Sequence, residues 1–592
     1  MVCLRTWRRA LWISILALSF SPILSGQTAK QSASSSNAAQ IAYQQGVTSL
    51  KKGDLDVARA AFEKTLRLSP GNPEAHDLLG WILLAQGQID NAIAHYNKAI
   101  QLKPNLADAH INLANALIQK RDLDGALLEA QTTVRLVPNS ADAYRILGRV
   151  QSFRGDLPAS IQALKKAVEL APTRADLHDE LGSVLAQQAR YEEAIPEFAR
   201  AIELQPDLAS AHLHLGAILV EQKSLQESLT HLQAATRFAP NNAQAHFFLS
   251  QALEQTNKPD EAIEELRTTI KLQPNFPDAH NRLGLLLQRT ENVAEAVAEF
   301  RKAVELQPEN SEFHNNLGLA LIQVGDAAGS IPEFQAALRL RPNDGGYLGN
   351  LGVAHLQKAD FDSAISQFEE ALKLNPQDAT LHYNLGLALK LKDKLAEAIA
   401  EFRKATELDP AQADAHYTLG VTLWQQGTFD DAVKELRAAI QARPDYAEAY
   451  YTLGTVLKQQ GKLQESADAL REAIQLQPDF AGAHTTLGAV LRQLGDSAGA
   501  AAETKAGAEI AKQKTSLQAA TFATNSGRRL LDAGDLDGAV SQFRSAISAV
   551  PNYALAHYQL GFALQRKGER EESNSEFRKA AELDPNLKPP AR

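Results

Sequence analysis

Between Ala379 and Pro410, leucines recur in four-residue steps at Leu381, Leu385 and Leu389, and Ala398, Phe402 and Ala405 follow in steps of four and three. Polar residues fill most of the positions between, so each half carries one apolar stripe at helical spacing. Two stripes parted by a short polar break predict a helical hairpin. The arrangement then returns: LHYNLG at Leu381 becomes AHYTLG at Ala415 and AYYTLG at Ala449, 34 residues apart each time.

The period runs through the chain. Proline stands at 34-residue intervals from Pro70 to Pro478, and again at Pro551 and Pro585. With this proline numbered position 32, sixteen repeats fit: fourteen over 39–514 and two over 520–587. Position 8 is glycine in all but two repeats, where Ala114 and Ser250 replace it, and position 20 is always alanine or serine. Small residues at 8 and 20 let two helix backbones approach at the near end of the usual 8–10 Å range. Asp409-Pro410 stops the second helix, because proline lacks an N–H and disfavours helix in the residue before it. Pro196 and Pro332, at position 22, are expected near the first turn of a second helix, where an amide has no intrahelical partner to lose.

Leucine and glycine at 7 and 8, a small residue at 20, an aromatic or leucine at 24 and proline at 32 resemble the tetratricopeptide repeat. In the eleventh repeat these are Leu385, Gly386, Ala398, Phe402 and Pro410. One departure is position 4, where the tryptophan often met in that family is mostly histidine or tyrosine. The resemblance implies an all-α, right-handed α-solenoid of about sixteen helix-turn-helix repeats, with the first helices lining a concave groove.

The regularity breaks once. The fourteenth repeat has Thr504 at position 24 and Lys512 in place of proline, and TSLQA, residues 515–519, intervenes as an insertion or hinge. Helix formers run almost unbroken from Ala498 to Leu531, which suggests that the last two repeats ride on one long helix.

The first 26 residues open with three arginines, continue with an apolar run from Ala10 to Phe20 and close on small residues. This reads as a secretory signal peptide; an uncleaved N-terminal anchor is the alternative, although the run falls short of the ~20 residues a bilayer crossing needs. Residues 27–38 read as a serine-rich flexible linker, and 588–592 as a tail. The expected location is periplasmic or secreted, with no integral membrane span after cleavage. Cys3 is the sole cysteine. The net charge of −10 becomes more negative once Arg5, Arg8 and Arg9 are removed, which disfavours nucleic acid as a partner.

Eleven histidines occupy position 4, from His76 to His557. First helices 8–10 Å apart cannot easily share a zinc ion held at about 2.0–2.1 Å, so these read as packing residues. Gly495-Asp496-Ser497-Ala498-Gly499 matches a nucleophile-elbow pattern, but that pattern needs a strand before its serine, and here a helix precedes it. No enzyme, metal or cofactor is expected. No repeat has lysine at position 5, so the chaperone-tail clamp of some family members is unsupported.

Position 6 carries Asn316, Asn350 and Asn384 in consecutive repeats, with Asn112 and Asn525 as outliers. This is similar to the asparagine ladder in the repeat arm of O-linked N-acetylglucosamine transferase, whose catalytic domain is absent. An amide both donates and accepts, so such a ladder would hold peptide backbone whatever its sequence. Position 5 becomes Tyr383, Tyr417 and Tyr451, and Trp424 lies two turns beyond Tyr417 on nearly the same face. These aromatics are either binding anchors or half-buried packing. The expected role is a non-catalytic scaffold that takes protein or peptide segments in its groove. The alternatives are a scaffold for polysaccharide synthesis or export, with saccharide on the aromatic patch, and an arm serving a glycosyltransferase on another chain.

Overall fold

The computed structural model describes residues 32–587, which form helices joined by short turns, with no strand among them. They divide into two compact bodies, parted between Gln307 and Pro308. Each body is an array of helical hairpins in the register read from the sequence. The eleventh repeat, for example, comprises helices Ala379–Leu391 and Leu395–Leu408.

Local chemistry sets these boundaries. The Asp378 carboxylate accepts from the Thr380 and Leu381 amides at 2.9 and 3.1 Å and so caps the first helix. The turn passes through Asp393 at φ 62°, in the left-handed region. That conformation recurs at position 15 of every repeat: nine of these residues are glycine, and the rest, such as Ala359 and Lys223, bear the steric cost of a Cβ there. Gly495 is one of the nine, and Asp496 caps the next helix through the Gly499 amide at 2.8 Å, so the elbow-like motif is a repeat turn.

In nine of the sixteen hairpins the core is a ring laid on a glycine. Phe402 is fully buried, and a Cβ added to Gly386 would fall 2.6 Å from its ring. Leu164 and Leu470 replace the ring in repeats whose position 20 is serine, and there Ser160 and Ser466 donate to the Gly148 and Gly454 carbonyls at 2.7 and 2.6 Å. Buried hydroxyls are thereby satisfied inside the helix pair.

The prolines at position 22 correct one expectation. Pro196 and Pro332 lie inside helices Tyr191–Leu204 and Ala327–Leu340, a turn deeper than the sequence suggested. Each removes the N–H that the carbonyl four residues back would accept. Both helices stay continuous because the prolines are exposed on the solvent side, where water can take that carbonyl.

Within the second body, successive first helices touch, as Ser311–Gln323 does Gly345–Gln357 and Ala413–Gln425 does Ala447–Gln459, while second helices make no comparable contact. The first-helix side is therefore the inner side. Residues 515–519 belong to an unbroken helix Ser497–Asp532, in line with the run of helix formers there, and the first helix begins at Ser32, within the stretch read as a linker. Neither stretch contains glycine or proline to break a helix.

Candidate functional site on the first helices of repeats 9 to 14

The position-4 histidines hold each hairpin to the turn before it. His382 places Nδ1 2.6 Å from Glu401 on the second helix and Nε2 3.1 Å from the carbonyl of Pro376. Nine histidine–glutamate pairs of this kind occur among the described residues. No group of three or more ligand-type side chains that could hold a metal occurs among the described residues. The glutamate at position 23, nineteen residues from its histidine, went unread in the sequence, since nothing local links the two.

Two repeats vary this pairing and become acid-sensitive. In the second and sixth, position 23 is histidine, and His76–His95 and His212–His231 meet Nδ1 to Nδ1 at 2.9 and 3.0 Å. One nitrogen must donate and the other accept, so the accepting ring of each pair must be neutral. Burial holds His76, His95 and His231 below the usual histidine value of 6.5, and the neighbouring ring adds to this for His95 and His231. The opposite case is His110, raised by its hydrogen bond to Glu129. A depressed pKa leaves stability intact above 6.5 and removes it as pH falls through the folded value. His95→Glu, which restores the usual pair, is therefore expected to stabilise the first body by about 1 kcal/mol at pH 5.5 and by less above pH 7. Urea unfolding at both pH values checks this.

Within each body, successive first helices are laced by bonds from position 5 to position 6 of the next repeat. Asn112 donates to Asp77 at 2.9 Å, and burial pushes the Asp77 carboxyl up to about 7. Arg145 donates to Glu180 at 2.6 Å, and Asn350 donates to Asn315 at 2.8 Å. Asn350 is thus engaged sideways within the array. Asn316 also has a protein partner. Of the three asparagines, only Asn384, half-exposed, makes no such bond. The three do not form a uniform ladder.

The aromatic residues are brought together as expected and are also half-buried. Tyr383 packs on Phe402 with centroids 5.8 Å apart, and its hydroxyl lies 3.4 Å from Thr418 Oγ1. Tyr417 meets Tyr446 at 5.0 Å and Tyr451 meets Phe480 at 4.7 Å, so position 5 rests on the last residue of its own repeat. Tyr446 is fixed in turn: its hydroxyl donates to Asp414 at 3.0 Å, Arg443 lies 4.5 Å over its ring, and Arg443 pairs with Asp414 at 2.7 Å. That arginine holds the Asp414 carboxyl below its ordinary value. Trp424 donates from Nε1 to Gln459 at 2.7 Å.

At position 12 the sequence singled out Trp424 but not the cations around it. Through repeats 11 to 14 this position reads Lys390, Trp424, Lys458 and Arg492, two turns beyond position 5 and on the same face. Burial lowers the Lys390 pKa with no carboxylate opposing the shift. Positions 5, 6, 9, 12 and 13 of these four repeats contain no acidic residue, in a chain of net charge −10. The signal was legible as a column of cations, but a single lysine on a helix is unremarkable until its neighbours are shown to share its face.

Models of the tetratricopeptide repeat match 49–93, 80–120, a series of ranges that begins at 111–175 and ends at 451–513, then 527–568 and 554–587. The matched ranges stop at 513 and resume at 527, on either side of the insertion. No curated protein matches. Among solved structures, Cut9–Hcn1 of APC/C is 15% identical and aligns over 76% of this chain and 96% of that one, with TM-score 0.37. Yeast Tom70 is 18% identical over 72% and 96%, with TM-score 0.31. YrrB, described as having an unusual peptide-binding site, is 25% identical over 33% and 97%, with TM-score 0.27.

Proposed function

Because this chain belongs to the tetratricopeptide repeat family, we propose that it is a non-catalytic scaffold which holds an extended, acidic protein segment on the first helices of repeats 11 to 14. The supporting observation is the position-12 column, Lys390, Trp424, Lys458 and Arg492, beside Tyr383, Tyr417 and Tyr451. Cations there attract carboxylates, the rings supply contact area at small entropic cost, and the Asn384 amide can take a backbone group. No observation favours saccharide.

The test starts from a segment captured by the full chain from a cell-envelope extract. Asn384→Ala should weaken its binding by ~0.5–1.5 kcal/mol with folding unchanged. Asn350→Ala should act on stability instead, because its amide is bonded to Asn315. Equal effects of the two on binding would remove Asn384 from the site, and binding insensitive to salt would remove the charge argument.

We further propose that the scaffold acts outside the cytoplasm. The support is the basic start and apolar run of residues 1–26, which lie outside the described residues; among those described, no helix is long and apolar enough to cross a membrane. Intact mass of the exported protein should lack those residues, and a retained Met1 would contradict the proposal.

A further inference from the structure

The helix Ser497–Asp532 serves two repeats at once. Its first half is the second helix of repeat 14, where Gly507 and Gly488 pack closely on Thr485 and Thr504. Its second half is the first helix of repeat 15, where Gly527 lies under Phe543. Gly507 and Gly527 are twenty residues apart, which at about 100° and 1.5 Å per residue places the two packing faces roughly 200° around the helix and roughly 30 Å along it. Repeat 15 therefore cannot fold back onto repeat 14 of its own chain.

Both of the faces that would have met are left open. Position 3 is where a first helix meets the repeat before it: Leu381 sits 2.8 Å from where a Gly349 Cβ would be. Elsewhere in repeats 10 to 16 this residue is 0–8% exposed, but Phe522 is 72% exposed and the nearby Leu517 is 47% exposed. On repeat 14, positions 21 and 28 are Ala501 and Ala508, both exposed, where repeats 10 and 12 carry Ile365 with Leu372 and Val433 with Ile440 packed against the core. A large side chain on one face thus faces small ones on the other. Residues 515–527 contain no charged side chain, so the chain's net negative charge does not oppose self-association there. The last helix, Arg570–Leu583, has Asn574 and Ala581 at the same two positions among many charges, which makes it a solvated end and a poor seat for Phe522.

We propose that a second copy of this chain covers these faces, each copy seating the Phe522 face of its repeat 15 on the Ala501–Ala508 face of the other's repeat 14. The two contacts are equivalent under one two-fold axis, so the exchange closes as a dimer. It reproduces between chains the repeat-to-repeat packing that the straight helix prevents within one.

Light scattering of the full chain over a concentration series should give a dimer. A monomer throughout, or open-ended polymers, would overturn the proposal. Phe522→Asp, exposed in the single chain and so expected to leave helicity unchanged, should raise the dimer dissociation constant by roughly thirtyfold or more, and no change would count against it. A second measurement avoids that substitution. In a Cys3→Ser background, chains carrying Ala501→Cys and chains carrying Asn525→Cys should form a disulfide when mixed. Linkage of Asn525→Cys chains chiefly to each other would show a face-to-face pairing and exclude the exchange.

Discussion

Phe402→Ala is expected to cost roughly 3–5 kcal/mol, with the damage confined to repeats 10 to 12. The ring is fully buried between the two helices of its hairpin, lies over Gly386, and belongs to a cluster with Phe368, Leu385 and Leu389. Its removal leaves a cavity that cannot collapse, since Gly386 and Ala398 on either side are already near minimal size. Each repeat contacts chiefly its neighbours, so the loss should not spread evenly. Hydrogen exchange should show lost protection over about 345–446 and native protection in the distant repeats. A single all-or-none transition of every repeat at the lower stability would contradict this modular account.

The second large effect is functional. Tyr417→Ala with Trp424→Ala should weaken the captured segment by ~2 kcal/mol or more, beyond the effect of Asn384→Ala. The two side chains stand two helical turns apart on one face, flanked at position 12 by Lys390 and Lys458. Tyr417 also packs on Tyr446, so part of its loss must appear in stability. Tyr417→Phe separates these roles, because it keeps the ring contact and removes only the hydroxyl. Binding should then fall little if the ring is the anchor. Unchanged affinity of the folded double alanine variant would move the binding surface off these helices.

Much of the hairpin was legible because its determinants are local or strictly periodic. Gly386 and Ala398 announced a closely packed helix pair, and the lack of a breaker from Ala498 to Leu531 announced the long helix now seen as Ser497–Asp532. The left-handed turn at position 15 was only half legible. Glycine marks it in nine repeats, but at Ala359 or Lys223 the hairpin closure imposes a conformation that the residue itself disfavours.

The candidate site was legible only in part. Sequence placed Asn316, Asn350 and Asn384 in one column, but their spare hydrogen-bonding capacity depends on residues about a repeat away, and Asn350 turned out to serve Asn315. The position-4 histidines were separated from metal binding by spacing alone, whereas their tie to Glu401 and its counterparts needed the packed pair of helices.

The sequence alone thus determined the repeat, its period and its break, because propensity, small-residue spacing and proline act within one hairpin. The tertiary structure alone decided which polar side chains are spent holding the array together and which remain available, and which faces stay uncovered around Phe522. Those outcomes depend on distances between helices that are far apart in sequence, and a one-dimensional pattern does not contain them.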